Sequence, residues 1–361
     1  MPQLPVREIR ARPVPIPLTR PISSSLGTYT HVNCVIVTLH TDGGPTGTGF
    51  TMGLGGAWSR AVAAYVLDEL APVAEGRDAL APEALWHALW APNKARMRAG
   101  LGPWALSAVD IACWDVVAKA AGLPLHRLLG GFQDDVPVYG SGGWLDLSDE
   151  ELVAEAEAFT ASGISAYKYK VGSPRDLERT RLLRRALGDG VTLLADANQR
   201  FDVAGAVETA AMLADFGVAW LEEPVLADTV DDLADTAARS PIPIATGENA
   251  YFRWGFREIC ERRAAAYLQP DVARCGGVTE FRKVASMAES YRLRLSSHLW
   301  HELSISLVGA SPAGWAAEYT DLLPAGLWTR EFPVTDGRIG VPDVPGHGVE
   351  FDESVLARLS E

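Results

Sequence analysis

The 361-residue chain predicts an α/β fold, a TIM-type (β/α)8 barrel with an N-terminal α+β capping domain that the C-terminal segment completes. Three observations carry this. From Val136 onward, short apolar strand-like runs alternate with helix-like ones. The preceding residues do not alternate in this way. Polar residues with chemical capability recur at a fixed interval, each just after an apolar run, where barrels of this kind keep their chemistry.

Residues 1–130 form the expected capping domain. Alternating stretches at Val6–Leu18 and Val32–His40, a turn at Asp42-Gly43-Gly44 and a return run at Thr46–Met52 read as a hairpin meander. Helical periodicity follows at Trp58–Ala71, Pro82–Trp90 and Ala105–Ala121, the last stopped by Gly122-Leu123-Pro124. Residues 131–326 form the expected barrel. Its strands are read at Val136–Tyr139, Ala166–Val171, Thr192–Ala195, Val218–Leu221, Ile242–Ala245, Ala266–Leu268, Arg294–Ser297 and Ala316–Tyr319. Helices such as Asp149–Ser162, Asp176–Leu187 and Ala204–Phe216 lie between them. Residues 327–361 hold no further βα unit and are expected to pack back on the capping domain.

Composition narrows the partners. A hydrophobic content of 48% supports a large core, and a formal net charge of −14 argues against nucleic acid and anionic membrane surfaces. Cys34, Cys113, Cys260 and Cys275 show no paired spacing, so reduced thiols in a cytoplasmic protein are expected. The opening residues, MPQLPVREIRARPVPIPL, lack a signal pattern, and no apolar run is expected to span a bilayer.

The run Ala166-Tyr-Lys-Tyr-Lys-Val-Gly172 sets Lys168 and Lys170 on one strand face and Tyr167, Tyr169 and Val171 on the other. Either the lysines meet water at a sheet edge or they line a polar interior. Spacing decides. Lys170, Asp196, Glu222 and Glu248 follow one another at intervals of 26, about the length of one βα unit, so they occupy equivalent strand ends. Asp271, His298 and Glu318 continue the ring at intervals of 23, 27 and 20. Three converging carboxylates repel one another unless a hard divalent cation joins them, so Asp196, Glu222 and Glu248 are the expected ligands of Mg2+, with Mn2+ as the alternative. Asp271 can orient His298 by hydrogen bonding to one ring nitrogen. The pair His298 and His301 lacks a third ligand, which argues against zinc.

The series LLADAN, WLEEP and ATGEN resembles the metal-ligand set of the enolase superfamily. AYKYKVG, QPD and SSHLW resemble the paired-lysine motif and the Asp–His dyad of its mandelate racemase group, and the helix from Ala108 to Asp115 resembles a capping-domain hallmark. The resemblance implies abstraction of the proton α to a carboxylate through an enediolate, with a Lys or His base. It makes Lys170 a base on one face and the His298–Asp271 dyad the acid or base on the other. Lys168 would contact the substrate carboxylate and depress the pKa of Lys170. Glu318 would donate a hydrogen bond, which requires it to be protonated, and Asn198 would face the pocket. A small-molecule carboxylate substrate and a homo-oligomer, such as an octamer, are also implied.

Two outcomes stay open. Returning the proton to the far face makes a racemase; expelling a β-hydroxyl makes a dehydratase that releases a 2-keto-3-deoxy acid. The resemblance places a substrate-covering loop at Ser23–His31, whose hydroxyls and imidazole, among them Ser23, Tyr29 and His31, suit a polyhydroxylated acid. Ser141, in Ser-Gly-Gly-Trp144, resembles stretches of acid-sugar dehydratases. Lys94, Arg96 and Arg98 are candidates for the distal end of a long substrate. The expected function is therefore Mg2+-dependent dehydration of an aldonate or aldarate, with racemisation of a 2-hydroxy acid as the alternative.

Overall fold

The structure is a computed structural model and describes residues 3–359. Strands β1 (Val6–Ser24), β2 (Gly27–Thr41) and β3 (Gly47–Leu54) form an antiparallel sheet in the order β1-β2-β3. β1 and β2 run well past the expected strand ends: Ser23 pairs with Thr28 and Ser24 with Gly27, so the covering segment is the tip of a long ribbon. A register shift between Pro17 and Ile22 interrupts the ribbon, an irregularity of the kind that bends a strand pair.

Eight parallel strands then close into a ring: β4 (Asp135–Ser141), β5 (Ala166–Lys170), β6 (Thr192–Asp196), β7 (Val218–Glu222), β8 (Ile244–Thr246), β9 (Tyr267–Leu268), β10 (Arg294–Ser296) and β11 (Gly314–Tyr319). β11 returns to β4, with Glu318 opposite Tyr139. The period-two rule operates as expected on β5. Tyr167 and Tyr169 face the helices, where their hydroxyls meet Glu155 and Thr180, and the two lysines point inward. Below the lysines, the interior is filled by Tyr139, Trp220, Tyr267 and Trp315. Trp220 meets Tyr139 edge-on with ring centroids 5.4 Å apart, an apolar floor under the charged layer.

The helix Leu101–Ala121 starts one turn earlier than expected and ends where Gly122 takes φ +67. It corrects the expectation that no apolar run could cross a bilayer. An 18-residue window of it has a mean hydropathy of 1.3, but 83% of that window is buried inside the protein, as in a core helix. Its two inward carboxylates tie the architecture together. Asp115 accepts from Thr48 N on β3 and from His347 N in the C-terminal segment. Asp110 accepts from the backbone and hydroxyl of Thr279, at the start of the barrel helix Val278–Ser290. Gly277 is obligatory there, because a Cβ would lie 2.4 Å from Asp110 Oδ2.

The C-terminal segment touches both parts. Strands β12 (Val334–Thr335) and β13 (Arg338–Gly340) form a hairpin, and β13 pairs antiparallel with the start of β4. Farther on, Phe351 packs edge-on against Phe50 of β3, and Glu353 pairs with Arg12 of β1. All four cysteines are free and buried.

Burial pushes Asp110 up to about 7, against the hydrogen bonds from Thr279 that favour its charge. An unfolded Asp ionises near its model value of 3.8, so between that pH and about 7 the folded state holds a proton that the unfolded state has lost. Stability contributed by the protonated group is thus lost as pH rises through this window. Asp110→Asn lacks this loss. Its stability relative to the parent is expected to improve by roughly 1–4 kcal/mol between pH 4 and pH 8, read by urea unfolding. A pH-independent difference would show that Asp110 is ionised throughout.

Candidate functional site

The ring of strand ends brings the expected residues to one mouth of the barrel. Lys170 is in register with Asp196, and Asp196 with Glu222. Glu248, Asp271 and His298 sit just beyond β8, β9 and β10, and Glu318 lies in β11. All are buried, from 0% exposure at Asp196 to 7% at Glu248 and His298. Lys170 Nζ donates to Asp196 Oδ2 at 2.5 Å and lies 4.9 Å from the Trp144 ring. Lys168 Nζ bridges Glu222 Oε1 at 2.8 Å and Glu318 Oε1 at 2.7 Å. Burial opposes the charge on Lys168, but Glu222 and Glu318 outweigh it and hold its pKa well above the usual range. Glu222 also accepts from Gln269 Nε2 at 2.8 Å; burial raises it to about 7 against the pull of Lys168.

On the opposite side of this set, His298 Nδ1 lies 2.8 Å from Asp271 Oδ2, and its Nε2 lies 3.0 Å from Glu248 Oε2. Burial favours the neutral ring, but the Glu248 charge and the two hydrogen bonds prevail and push the imidazole up to about 10. Asp271 is itself fixed by Ala273 N at 2.8 Å. Arg274 Nε approaches Asp271 Oδ2 at 3.1 Å, off the hydrogen-bond direction, and its guanidinium packs 5.0 Å from the Trp104 ring.

Glu318 corrects the expectation of a protonated donor. Burial raises it, but Lys168 and His298 overcome this and hold it well below the usual carboxylate range. It acts as an acceptor, from Lys168, from Leu299 N at 2.7 Å and from the Ser141 hydroxyl. The neighbouring cation was the missing consideration. Ser141 therefore supports Glu318.

A cavity of about 190 Å3 opens above these groups. Lys170, Asn198, Glu248, Arg274, His298 and Glu318 form its barrel side. The covering ribbon and the rest of the capping domain supply Ser24, Leu26, Tyr29, Leu54 and Trp104. Tyr29 thus faces the cavity, whereas Ser23 and His31 do not. Ser23 N bonds to Asp146 and its hydroxyl to Thr28, and His31 bonds to Gly56 O and Thr30. The basic segment also lies elsewhere: Lys94 and Arg98 line a separate groove of about 680 Å3, and Arg96 pairs with Glu69. Gln269, Arg274, Leu54 and Trp104 were missed. Gln269 and Arg274 flank Asp271 closely enough to have been suspected; Leu54 and Trp104 carry no chemical signal.

The donor set fits a hard divalent cation. Asp196, Glu222 and Glu248 offer only oxygen, and the buried Asn198 Oδ1 beside them has no hydrogen-bond partner. Among the described residues no three His, Cys, Asp or Glu side chains are drawn together as a metal-binding group, because Lys168, Lys170 and His298 lie against these carboxylates.

A closed eightfold barrel, a three-stranded antiparallel cap and carboxylates on successive strand ends define an enolase-superfamily enzyme. The chain belongs to the mandelate racemase/muconate lactonizing enzyme family: residues 6–130 match its N-terminal domain and residues 151–355 the enolase C-terminal domain-like family. It is 36% identical to 3,6-anhydro-alpha-L-galactonate cycloisomerase of Streptomyces coelicolor, over 96% of each chain. Among solved structures it superposes with a TM-score of 0.94 on a racemase from Streptomyces coelicolor with bound magnesium, at 35% identity over 98% of this chain and 99% of that one. With L-talarate dehydratase from Polaromonas sp. JS666, complexed with Mg and L-glucarate, the TM-score is 0.91 at 34% identity, over 98% and 97% of the two chains.

The ribbon tip is fastened across the mouth. The Ser25 hydroxyl lies 2.8 Å from Ala197 O and 2.9 Å from Asn198 O, on the loop where Asn198 and Gln199 take φ of 43 and 64. Ser25→Ala removes this latch. Limited proteolysis is expected to cut between Ser24 and Thr28 several-fold faster, with an unchanged urea midpoint. Equal cutting rates would show that the tip is held by packing alone.

Proposed function

We propose that this enzyme abstracts the proton α to the carboxylate of an acid sugar and expels the β-oxygen, giving a 2-keto-3-deoxy acid by dehydration. The observation that carries the reading is that Lys170 and His298 line one cavity together with Glu248 and Glu318, beside Asp196 and Glu222. Asp196, Glu222 and Glu248 would hold Mg2+, the ion named in both solved relatives. When bound, the ion supplies Lewis-acid stabilisation of the negative charge that develops on the substrate carboxylate.

The chain's own groups divide the remaining work. Lys168 spends two of its three N–H donors on Glu222 and Glu318, which leaves one for a substrate oxygen. In its neutral form Lys170 takes the α-proton at Nζ. As Cα=Cβ forms, the Cβ–O bond breaks and the protonated His298 delivers its Nε2 proton to the departing oxygen. Asp271 holds Nδ1–H, and Nε2, which lies 3.0 Å from Glu248 Oε2, is the nitrogen that would give its proton to substrate. The enol released then tautomerises to the keto acid.

Racemisation is the second reading. It is favoured by the same two proton-bearing groups on one cavity and by the relative described as a racemase. The two readings separate in D2O. With Mg2+ and a panel of acid sugars, the parent enzyme should release a 2-keto acid. Lys170→Ala should lower both α-exchange and product by roughly 10²–10⁴-fold, and His298→Asn should lower product while keeping exchange. EDTA should stop all of these reactions and added Mg2+ restore them. Exchange with inversion and no keto acid would transfer the assignment to a racemase. Turnover unaffected by either substitution would end both readings.

A further inference from the structure

We propose that Arg274 is a further catalytic residue: its guanidinium donates to the oxygen on the substrate's β-carbon, beside His298, and stabilises the charge that gathers there as the Cβ–O bond breaks. This rests on the elimination proposed above. The first ground is placement. Arg274 lines the same cavity as Lys170 and His298. It lies alongside His298, because the two side chains approach the same pair of acids. Asp271 Oδ2 is 2.8 Å from His298 Nδ1 and 3.1 Å from Arg274 Nε. Glu248 Oε2 is 3.0 Å from His298 Nε2, and Glu248 Oε1 is 3.8 Å from Arg274 Nη1. An oxygen that takes a proton from Nε2 therefore has the guanidinium as its neighbour.

The second ground is unmet donor capacity. Arg274 is only 8% exposed, and its enclosed Nε has no hydrogen-bond partner among the described residues. Nη1 stands beyond hydrogen-bonding distance of Glu248. A guanidinium carries five N–H donors, and leaving them unused in the interior is costly. A purely structural arginine spends them on carbonyls, as the Nη groups of Arg179 do on Gly143, Trp144 and Leu147. Arg274 instead lies with its face 5.0 Å from the Trp104 ring, which Trp58 holds edge-on with centroids 4.6 Å apart. Packing thus fixes the plane of the fork before its donors are used.

The third ground is what the elimination needs. Lys170 takes the Cα proton at Nζ, Cα=Cβ forms, and the Cβ–O electron pair departs on oxygen. His298 Nε2 transfers one proton to that oxygen, water leaves, and the enol tautomerises to the keto acid. Until the proton arrives, negative charge gathers on the departing oxygen inside a cavity of about 190 Å3. An arginine keeps its protons, so Arg274 stabilises this charge by hydrogen bonding without competing with His298 as the acid. The earlier removal of the α-proton places its charge on the carboxylate and does not call on Arg274.

The test uses the Mg2+-loaded enzyme and acids that differ by the β-hydroxyl alone: galactonate against 3-deoxygalactonate, and threonate against 2,4-dihydroxybutanoate. Binding is measured by calorimetry in the Lys170→Ala background. Arg274→Gln should weaken binding of the β-hydroxylated member of a pair by roughly 10–100-fold and of the deoxy member by less than about 2-fold. Arg274→Lys keeps a positive charge beside Asp271 but loses the fork, so it should show the same selectivity at roughly 10-fold. An arginine that only neutralised Asp271 would be replaced by lysine without loss for either acid. With Lys170 restored, NMR in D2O should show keto-acid release falling by roughly 10²–10³-fold in both variants while α-exchange falls by less than about 3-fold. Equal losses for both members of each pair, full function in Arg274→Lys, or no binding of any of the four acids would overturn the proposal. Loss of binding confined to the β-hydroxylated acids, in an enzyme that inverts the α-carbon without releasing keto acid, would leave the contact standing and refute the elimination. Keto-acid release that neither variant changes would refute the contact and leave the elimination standing.

Discussion

Keeping charge inside a water-poor barrel is the constraint on which the rest of this structure depends. Lys168, at 1% exposure, is held on two sides by Glu222 and Glu318, and it favours the charge on both carboxylates in turn, joined at Glu318 by His298. Each buried ion in the mouth has an opposite charge within hydrogen-bonding distance: Lys170 with Asp196, His298 with both Asp271 and Glu248. Removing one member would strand its partner in low dielectric. The apolar floor of Tyr139, Trp220, Tyr267 and Trp315 intensifies the demand by keeping water out from below. Each charge of the site is thus paired within the protein itself, in the manner of the preorganised dipoles on which electrostatic catalysis depends.

The capping domain meets this layer through a second set of buried carboxylates. Asp110 and Asp115, five residues apart on one apolar helix, reach in different directions, one to a barrel helix and the other to β3 and the C-terminal segment. The ribbon above is anchored independently. Arg20 pairs with Glu155, whose other oxygen accepts from Gly143 N and from the Tyr167 hydroxyl. Glu155 therefore joins the base of the ribbon to the back of the strand that carries both lysines. Gly143, at φ +59, is required at this junction, because a Cβ would fall 2.3 Å from that of Tyr169. The cover and the lysine-bearing strand thus share one support.

Much of this was legible in the sequence, for a specific reason. A βα unit repeats strand length, turn and helix, so residues at matching strand ends recur at nearly constant spacing, and Lys170, Asp196, Glu222 and Glu248 stand out without any coordinates. Strand parity set both lysines on one face, and the spacing of the strand ends turned that face inward. The cavity wall was less accessible. Which of Ser23, Tyr29 and His31 faces inward depends on the register shift after Pro17, a local irregularity without a motif. Trp104 and Leu54 reach the cavity from the start of a helix and the end of β3, segments whose apolar residues look like any other core. The protonation of Glu318 was misread because a carboxyl group considered alone responds to burial, whereas one 2.7 Å from an ammonium responds to the ammonium.

The charged groups and the neutral wall of the cavity belong to different parts of the chain. At 34–36% identity, relatives described as a cycloisomerase, a racemase and a dehydratase share nearly the full length of this fold. A common architecture therefore does not by itself determine which activity a chain carries. Among the described residues the capping-domain side of the cavity is neutral and partly aromatic, while Arg274 on the barrel side lies 3.1 Å from Asp271 and 3.8 Å from Glu248. The barrel can then keep its ion network intact while the wall above it changes, because no residue on the wall carries a charge on which the network depends.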